Sequence, residues 1–396
     1  MNIAIIGLGY VGLPLAILAA RKGHKVIGLD LKQDIVESIN MKKSHIKDEC
    51  IQNDLKKTND NLIATTNSDD IKNSDIFIIC VPTPVDNNHD PDFKPLISAT
   101  KTISKYIKND NLIIVESTIF PGTCEEIVLP ILEETEKKFF LAHCPERVNP
   151  GDAFWNTENI PRVVGALTPK GAMKTAKFYQ TLLEGEIINI KDVKQKLRPK
   201  IINESSGYKI NSMPLGSITI MNSIRDAEAV KAMENTVRDV NIAFVNELAK
   251  ISEVLNLDVV DIIDGMSTKP FGKGPFYPGI GVGGHCIAVD PEWLKSASVK
   301  AGYFPNIIQL ARDTNNSMPI HAVNLLEKEI GDLKDKKIAI LGVSYKKNIG
   351  DPRESPFFKV KEILKNKNAI IEVYDPWIKN ESTIENLDEV LDKSDY

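Results

Sequence analysis

A cysteine and a histidine stand side by side in the stretch GVGGHCIAVDP, and an aspartate follows four residues after the cysteine. These residues are His285, Cys286 and Asp290. A cysteine thiolate can attack a carbonyl carbon, so the stretch could carry a catalytic nucleophile. A lone cysteine can also be a small buried hydrophobic residue, and a cysteine beside a histidine can contribute to a zinc site.

A zinc site needs two further ligands at suitable spacing. The other histidines are isolated along the chain, apart from one that precedes a cysteine: His24, His45, His89, His143 (before Cys144) and His321. We therefore expect no metal at Cys286. The glycines before this residue and the aspartate after it favour a nucleophile over a structural cysteine.

Three polar side chains share one face of a predicted helix that runs from about Asp226 to Asn256 without glycine or proline. They are Lys231, Asn235 and Arg238, at i, i+4 and i+7. Because apolar residues continue this face, we expect the three to be partly enclosed, and an enclosed cation needs an anionic partner such as a ligand. A separate apolar seam, available for a homodimer or a neighbouring domain, consists of Val230, Met233, Val237, Val240, Phe244, Leu248, Ile251 and Leu255.

A glycine-rich turn near the N-terminus joins an apolar strand to a helix and contains Gly7, Gly9, Tyr10, Val11 and Gly12. Gly7 allows the tight turn, Gly9 lets a pyrophosphate approach the backbone, and Gly12 lets the helix pack on the strand. Asp30 ends the next strand, 18 residues after Gly12. Its carboxylate would bind a ribose 2′-hydroxyl and repel a 2′-phosphate, so the pattern predicts NAD as cofactor.

Two later apolar strands end in segments rich in threonine, proline and glycine, DIFIICVPTP at 75–84 and NLIIVESTIFPGT at 111–123. A doubly wound sheet presents its ligand loops at these strand ends. Thr83 and Thr118 are therefore candidate cofactor contacts. Helix capping or turn formation would use the same residues equally well.

The C-terminal part of the chain repeats the N-terminal pattern. KKIAILGV restates the opening strand, and AIIEVYDP ends in Asp375 as the earlier strand ends in Asp30. The chain stops at Tyr396, where the first copy continues into another strand, so we expect this domain to be truncated.

The fold class is α/β, with two Rossmann-like doubly wound domains joined by a long central helix and an all-helical middle region. The predicted domains are an N-terminal NAD-binding domain (1–190), a polar insertion or mobile loop (191–217), a central helical domain (218–320) and a C-terminal Rossmann-like domain (321–396).

Composition limits the class of protein and its partners. A chain of 396 residues, 42% of them hydrophobic, can form two or three domains. The net charge of −5 argues against nucleic acid or an anionic membrane as partner. No apolar run approaches the ~20 residues that span a bilayer, and no signal-peptide pattern opens the chain. The 5 cysteines are scattered and odd in number, which predicts thiols in the cytoplasm.

Seven blocks resemble the UDP-glucose/GDP-mannose dehydrogenase family: IAIIGLGYVGLPLA, VPTP, ESTIFPGT, AHCPERVNPG, AEAVKAMENTVRDVNIAFVNELA, GVGGHCIAVDP and SYKKNIGDPRESP. Members oxidise C6 of a nucleotide sugar twice, from alcohol to carboxylate, with two NAD⁺, and are usually dimeric through the middle domain. TKPFGKGPFYPGIGVGGHC and ENIPRVVGALTP resemble the UDP-N-acetylglucosamine 6-dehydrogenases, and EGEII is similar to the UDP-N-acetylmannosamine enzymes. The resemblance implies one of these two UDP-sugars as substrate.

The same resemblance implies roles for individual residues. Cys286 would form a thiohemiacetal that is oxidised to a thioester and hydrolysed. Lys231 and Asn235 would stabilise the oxyanion at C6. Asp290 would activate water or relay protons, and Glu146 would be the acid/base of hydrolysis. The NAD positions are Asp30, Thr83, Thr118 and Arg353. The nucleotide-sugar positions are Arg147, Val148, Arg238, Gly283, Tyr345 and Lys346, and we expect the site to lie between domains.

The sequence leaves other functions open. A UDP-glucose or GDP-mannose 6-dehydrogenase would share these motifs. A two-electron dehydrogenase of the β-hydroxyacid type has the same N-terminal fold and a helical lysine, and it would not need Cys286. A non-catalytic, truncated member that acts as a scaffold is the third alternative.

Overall fold

The computed structural model describes residues 1–46, 48–84, 91–148, 154–196, 213–269, 275–284, 287–347 and 349–396. The chain divides into two compact units, Met1–Ala232 and Met233–Tyr396. His285, Cys286 and residues 197–212 of the predicted insertion lie outside the described residues.

A nine-stranded sheet forms the centre of the first unit, counting the strands in the described ranges. These strands are β1 (Asn2–Ile6), β2 (Lys25–Leu29), β3 (Leu62–Thr65), β4 (Ile76–Ile79), β5 (Leu112–Val115), β6 (Phe140–His143), β7 (Arg162–Ala166), β8 (Ile187–Asn189) and β9 (Ile218–Ile220). Their order is β3-β2-β1-β4-β5-β6-β7-β9-β8, and the pair β6–β7 is antiparallel whereas the other neighbours are parallel. The run from β3 to β6 has the strand order of a dinucleotide-binding sheet. The predicted α/β class is confirmed.

Helices flank this sheet in the first unit, and further helices follow in the second unit. They are α1 (Gly12–Arg21), α2 (Gln33–Asn40), α3 (Glu49–Lys56), α4 (Lys94–Ser104), α5 (Leu129–Glu133), α6 (Pro169–Leu183), α7 (Ile190–Lys196), α8 (Ile224–Leu255), α9 (Val259–Ser267), α10 (Asp290–Lys300), α11 (Asn306–Ile330), α12 (Pro356–Asn366) and α13 (Leu387–Lys393). The long predicted helix is α8. In the parts of the chain that the structure describes, no helix combines the length and apolarity needed to cross a membrane.

The strands beside the glycine loop are buried on both faces because their sequences are apolar without alternation. Along β1, Ile3 and Ile5 pack in one hydrophobic cluster, which includes the apolar side of α1. Ala4 and Ile6 pack in a second cluster, which includes Leu96 on α4. Helices on opposite faces therefore fix β1, and with it the loop that follows.

A smaller pair of parallel strands, β10 (Lys337–Leu341) and β11 (Ile370–Tyr374), repeats the β1–β2 arrangement in the second unit. Gly342 follows β10 with φ of +105°, as Gly7 follows β1 with φ of +93°. Both glycines adopt the left-handed conformation that other residues disfavour. The internal repeat thus extends to the turn after the first strand.

The aspartates that follow the second strand of each repeat accept corresponding hydrogen bonds from the turn after the first strand. The Asp30 carboxylate accepts the N–H of Leu8 at 2.8 Å. The Asp375 carboxylate accepts the N–H groups of Val343 and Ser344 at 2.7 and 3.1 Å. In each repeat the acid therefore closes the turn after the preceding strand.

Polar side chains join α8 to α11 within the second unit. The Asp239 carboxylate accepts hydrogen bonds from Arg312 and Asn315, both at 2.8 Å. Asn246 donates to Asn315 at 2.9 Å, and its side-chain oxygen accepts the N–H of Gly279 at 2.9 Å. All four side chains are buried, so each depends on these partners. The network holds the two helices together and anchors the segment 275–284.

The apolar seam of α8 is exposed in the single chain. The exposed fractions of Met233, Val237, Phe244 and Leu255 are 51%, 49%, 55% and 61%. Arg238, which we expected to be partly enclosed, is exposed as well. The expected enclosure is therefore wrong for Arg238, whereas Lys231 and Asn235 are partly enclosed, and the exposed seam stays available for the partner that its spacing predicts.

Glu228 fastens the beginning of α8 to the loop after β5. Its carboxylate accepts the N–H of Gly122 at 2.5 Å and that of Cys124 at 2.8 Å, and the side chain is fully buried. Burial raises the pKa of Glu228, whereas the two backbone N–H groups act against the rise. The carboxylate is the acceptor that these two buried donors require.

We expect Glu228→Ala to lower the free energy of unfolding by about 2–4 kcal/mol, because each buried donor left unsatisfied costs about 1–3 kcal/mol. Denaturant unfolding of the variant and the wild type measures the difference. Glu247→Ala, at an exposed position of the same helix, is the control and should change stability by less than about 0.5 kcal/mol. Equal stability of Glu228→Ala and wild type would contradict this role.

Candidate active site

The glycines of the N-terminal loop differ in the space around them. A β-carbon at Gly7 would meet the carbonyl oxygen of Cys80 at 2.6 Å, and one at Gly12 would overlap the carbonyl oxygen of Gly7. At Gly9, by contrast, no described atom lies within 4 Å of an added β-carbon. The fold itself therefore requires the first and third glycines. The second leaves room for a ligand that approaches the backbone.

Asp30 lies beside this loop at the carboxyl end of β2. Besides its bond to Leu8, its carboxylate accepts the N–H of Lys32 at 3.0 Å. Because α1 begins directly after the loop, its N-terminal N–H groups face the same edge of the sheet. The loop and helix end suit a pyrophosphate, and the carboxylate suits a ribose hydroxyl. These residues fit a dinucleotide that lacks a 2′-phosphate.

The two threonines proposed as cofactor contacts lie on neighbouring loops, after β4 and β5. The Thr83 hydroxyl donates to the carbonyl oxygen of Thr118 at 2.7 Å. Thr83 is buried, and Thr118 is partly exposed. The bond ties the two loops together at the ligand edge, which gives Thr83 a structural role in addition to any contact with a cofactor.

Glu146 follows β6 and is surrounded by hydrogen-bond donors. Its Oε1 accepts the N–H groups of Arg147 and Val148 at 2.7 and 2.8 Å, and its Oε2 accepts from the Arg162 guanidinium at 2.9 Å. Arg162 also pairs with Glu116 at 3.1 Å. The exposed fractions of the side chains are 11% for Glu146, 1% for Arg162 and 0% for Glu116. Of these three, Glu146 is the one that can meet a ligand.

Arg162 and Glu116 carry no local sequence pattern that points to a site. Glu116 follows β5 directly, and Arg162 opens the apolar strand β7. What brings Arg162 to Glu146 is the antiparallel pairing of β6 with β7, in which His143 faces Gly165. Continued along both strands, this register opposes Glu146 to Arg162. Local sequence does not reveal the direction of a strand, so the pair could be found only with the sheet topology.

Asn235 and Asp290 meet in the second unit. The amide nitrogen of Asn235 donates to the Asp290 carboxylate at 2.5 Å. Asp290 begins α10 and is buried, whereas Asn235 is partly exposed. Lys231 lies one turn before Asn235 on the same helix and is also partly exposed. Two of the predicted catalytic residues are thus in direct contact.

The stretch GVGG packs tightly against the loop that carries DPRESP. A β-carbon at Gly283 would meet the carbonyl oxygen of Glu354 and the β-carbon of Tyr345, both at 2.7 Å. At Gly284, where φ is +86°, it would meet the Tyr345 ring at 2.7 Å. The N–H of Gly284 donates to the carbonyl oxygen of Arg353 at 3.0 Å. Gly283 and Tyr345, two predicted substrate positions, are therefore in contact.

The remaining predicted binding residues lie in varied surroundings. Arg147 donates to the carbonyl oxygen of Pro161 at 2.8 Å. The Arg353 guanidinium pairs with Asp351, two residues earlier, at 2.7–3.1 Å. Arg353 therefore faces a carboxylate of its own loop, in the unit that does not contain the glycine loop. Tyr10 is exposed, and the residues that are partly exposed are Val11, Val148 and Lys346.

The cysteines in the described residues are free thiols: Cys50, Cys80, Cys124 and Cys144. Burial raises the pKa of Cys80 and Cys124 and raises that of Cys144 to about 12. The buried thiols therefore stay protonated and unreactive at neutral pH. Burial also lowers the pKa of His143 to about 3. Within the described ranges, no group of three or more His, Cys, Asp or Glu residues could hold a metal ion.

Three domains of one enzyme family match this chain. They are the NAD binding domain of the UDP-glucose/GDP-mannose dehydrogenase family over residues 1–183, its central domain over 225–317 and its UDP binding domain over 339–395. Together they span most of the chain, in the order that the family blocks predicted.

Individual relatives are similar over nearly the whole length. A UDP-N-acetyl-D-mannosamine dehydrogenase of Pyrococcus horikoshii is 34% identical, and the match covers 100% of this chain and 88% of the relative. A UDP-N-acetyl-D-glucosamine 6-dehydrogenase of Pseudomonas aeruginosa is 33% identical, with 97% and 85% covered. The solved structure of a UDP-D-ManNAc dehydrogenase from Pyrococcus horikoshii matches with a TM-score of 0.86 and 34% identity, covering 100% of this chain and 88% of that one. The chain belongs to the UDP-glucose/GDP-mannose dehydrogenase family.

Proposed function

We propose that this chain is an NAD-dependent dehydrogenase that oxidises C6 of UDP-N-acetylmannosamine or UDP-N-acetylglucosamine to the uronic acid. The observation that carries the proposal is the bond between Asn235 and Asp290. It joins an amide donor to a carboxylate only four residues beyond Cys286 in the sequence. The names of the two relatives support the class of sugar, and the UDP binding domain match over 339–395 supports the nucleotide.

The first oxidation converts the C6 alcohol to an aldehyde by loss of a hydride from C6 and of the hydroxyl proton, which Asp290 relays to solvent. Bound NAD supplies the hydride acceptor, and each of the two oxidations consumes one NAD⁺. Lys231 and Asn235 stabilise the C6 oxygen while it carries negative charge, because a cation and an amide donor both interact favourably with an oxyanion. A side-chain amide has two N–H donors, and the bond of one to Asp290 orients the other.

The second oxidation needs a covalent intermediate. The Cys286 thiolate adds to the aldehyde carbon, and loss of a hydride from the thiohemiacetal gives a thioester. Water then attacks the thioester carbon, Glu146 accepts a proton from that water, and the carbon–sulfur bond breaks to release the thiolate and a carboxylic acid, which loses its remaining proton to solvent. Glu146 suits this role because donors on both of its oxygens orient the carboxylate.

The proposal includes a homodimer in the cytoplasm. The exposed apolar seam of α8 supports the dimer. Met233, Val237, Phe244 and Leu255 present apolar surface at regular helical spacing, and a second copy would remove it from water. The unpaired thiols fit a reducing compartment. The family matches at 1–183, 225–317 and 339–395 support the proposed division into an NAD-binding, a central and a UDP-binding domain.

We expect the protein with NAD to convert at least one of the two UDP-N-acetylhexosamines to its uronic acid, measured by liquid chromatography and mass spectrometry. Cys286→Ser should lower uronic acid formation by at least about 10³-fold, the order expected on removal of a covalent nucleophile. Cys50→Ser, which changes an exposed thiol, is the control and should keep the wild-type rate. Formation of uronic acid by Cys286→Ser at the wild-type rate would rule out the thioester. Failure of the wild type to oxidise either sugar would contradict the proposed function.

Gly9→Ala should weaken NAD binding about tenfold or more, a loss of about 1.4 kcal/mol, because the added methyl group occupies the space proposed for the pyrophosphate. Its thermal stability should match the wild type, since the methyl group meets no described atom within 4 Å. Gly12→Ala is the comparison, and we expect it to lower stability itself because its β-carbon overlaps a carbonyl oxygen. Calorimetric titration with NAD and thermal unfolding measure the two effects. Unchanged NAD affinity of Gly9→Ala would place the cofactor elsewhere.

Phe244→Glu should convert the proposed dimer to a monomer, because a charge in an apolar contact loses its hydration without gaining a partner. Light scattering coupled to size-exclusion chromatography measures the molar mass. Leu391→Glu, at an exposed apolar position on α13, is the matched control and should leave the mass unchanged. A wild-type chain that is monomeric, or a Phe244→Glu chain that remains dimeric, would show that the seam is not the interface.

A further inference from the structure

A buried guanidinium links two carboxylates at the ligand edge of the first sheet. Arg162 pairs with Glu116 through Nη1 at 3.1 Å and with Glu146 through Nη2 at 2.9 Å. The Tyr179 hydroxyl on α6 donates to the same Glu116 oxygen, and the Arg162 guanidinium lies 5.1 Å from the centre of the Tyr179 ring. Glu116 and Tyr179 therefore hold one side of the guanidinium while its other side reaches Glu146.

Stability alone does not explain this cluster. Removing a guanidinium and two carboxylates from water is unfavourable, and apolar side chains of similar volume often stabilise a fold as well or better. The cluster lies where β5 and β6 end and β7 begins, which is the edge at which such sheets bind ligands. Arg162 is 1% exposed, so it can influence a ligand only through the more accessible Glu146.

We propose that Arg162 is the positioning residue for Glu146, and that Glu116 and Tyr179 fix Arg162 in turn. This inference rests on the proposed function, in which Glu146 accepts the proton of the hydrolytic water. The planar guanidinium holds Oε2 in one orientation, and two backbone N–H groups hold Oε1. The charged guanidinium also makes the hydrogen bond to Oε2 a strong, charge-assisted one.

The charges of the cluster are consistent with this arrangement. Burial raises the pKa of Glu116 to about 7, against the lowering effect of the Arg162 cation. Near neutral pH, Glu116 is therefore partly protonated and neutralises the charge of Arg162 only in part. Glu116 then orients the guanidinium by hydrogen bonding without competing fully for its charge.

The test compares Arg162→Lys and Tyr179→Phe with Glu146→Gln in the full-length chain, with a UDP-N-acetylhexosamine and NAD. Lysine keeps the charge but loses the planar guanidinium, and phenylalanine removes only the hydroxyl. Rapid mixing measures the burst of NADH that precedes thioester hydrolysis, and the steady-state rate reports hydrolysis itself. Intact-protein mass spectrometry measures the sugar bound covalently to Cys286.

Arg162→Lys should keep the burst and lower the steady-state rate by about 10- to 100-fold, because displacing a catalytic group by about 1 Å can cost about 100-fold. Tyr179→Phe should show a smaller decrease in the same step, and the covalent adduct should accumulate in both variants, as in Glu146→Gln. The controls are Arg21→Lys, which alters a surface pair with Asp54, and Tyr106→Phe, which removes a hydrogen bond to Asp69. Both controls should keep the wild-type burst and rate.

A burst and a steady-state rate that fall together in folded Arg162→Lys and Tyr179→Phe would indicate a structural role and overturn the positioning role. Wild-type rates in both, beside a stalled Glu146→Gln, would overturn it while leaving the proposed function intact. An unchanged steady-state rate in Glu146→Gln would contradict the proposed role of Glu146, and the inference with it. If Arg162→Lys does not fold, the burst and the steady-state rate of Tyr179→Phe decide between a positioning and a structural role.

Discussion

The reversed direction of β7 is the constraint on which the reactive edge of the first unit depends. Because β7 runs antiparallel to β6, its first residue, Arg162, lies where the parallel strands end and their ligand loops begin. A guanidinium can stay buried there only with carboxylates beside it, and Glu116 and Glu146 supply them. The loops after β5 and β6 are thereby tied to one cation. A parallel β7 would place Arg162 at the opposite edge and leave Glu146 without it.

In the second unit, hydrogen bonds between buried polar groups likewise fix the segment that precedes Cys286. Buried polar groups must find partners, so a network of them fixes the positions of the elements that it joins. Asp239 on α8 binds Arg312 on α11, and Asn246 extends the network to the backbone of Gly279. Tight contacts at Gly283 then fasten the same segment to the loop after β10. The glycines there are needed because two stretches of backbone meet without room for side chains.

The parts of this organisation that depend on local pattern could be predicted from the sequence. Turn glycines, apolar strands and the terminal Asp30 predict the dinucleotide fold, because each follows from nearby residues. The partners of buried charges could not be predicted, since the contact of Arg162 with Glu146 depends on strand direction. The apolar spacing of α8 predicts a contact surface but not which molecule covers it. Arg353 stays a predicted cofactor contact, and the structure adds its pairing with Asp351, a carboxylate of its own loop.

The central claim is a four-electron oxidation in which one site carries out two successive hydride transfers. The most direct test is the amount of NADH formed per molecule of UDP-N-acetylhexosamine consumed by the wild-type protein, followed to completion by absorbance and product analysis. Two NADH per sugar, with the uronic acid as product and no aldehyde released, is the result that this account predicts. One NADH per sugar, with the reaction ending at the aldehyde, would contradict it and favour a two-electron dehydrogenase that does not use Cys286.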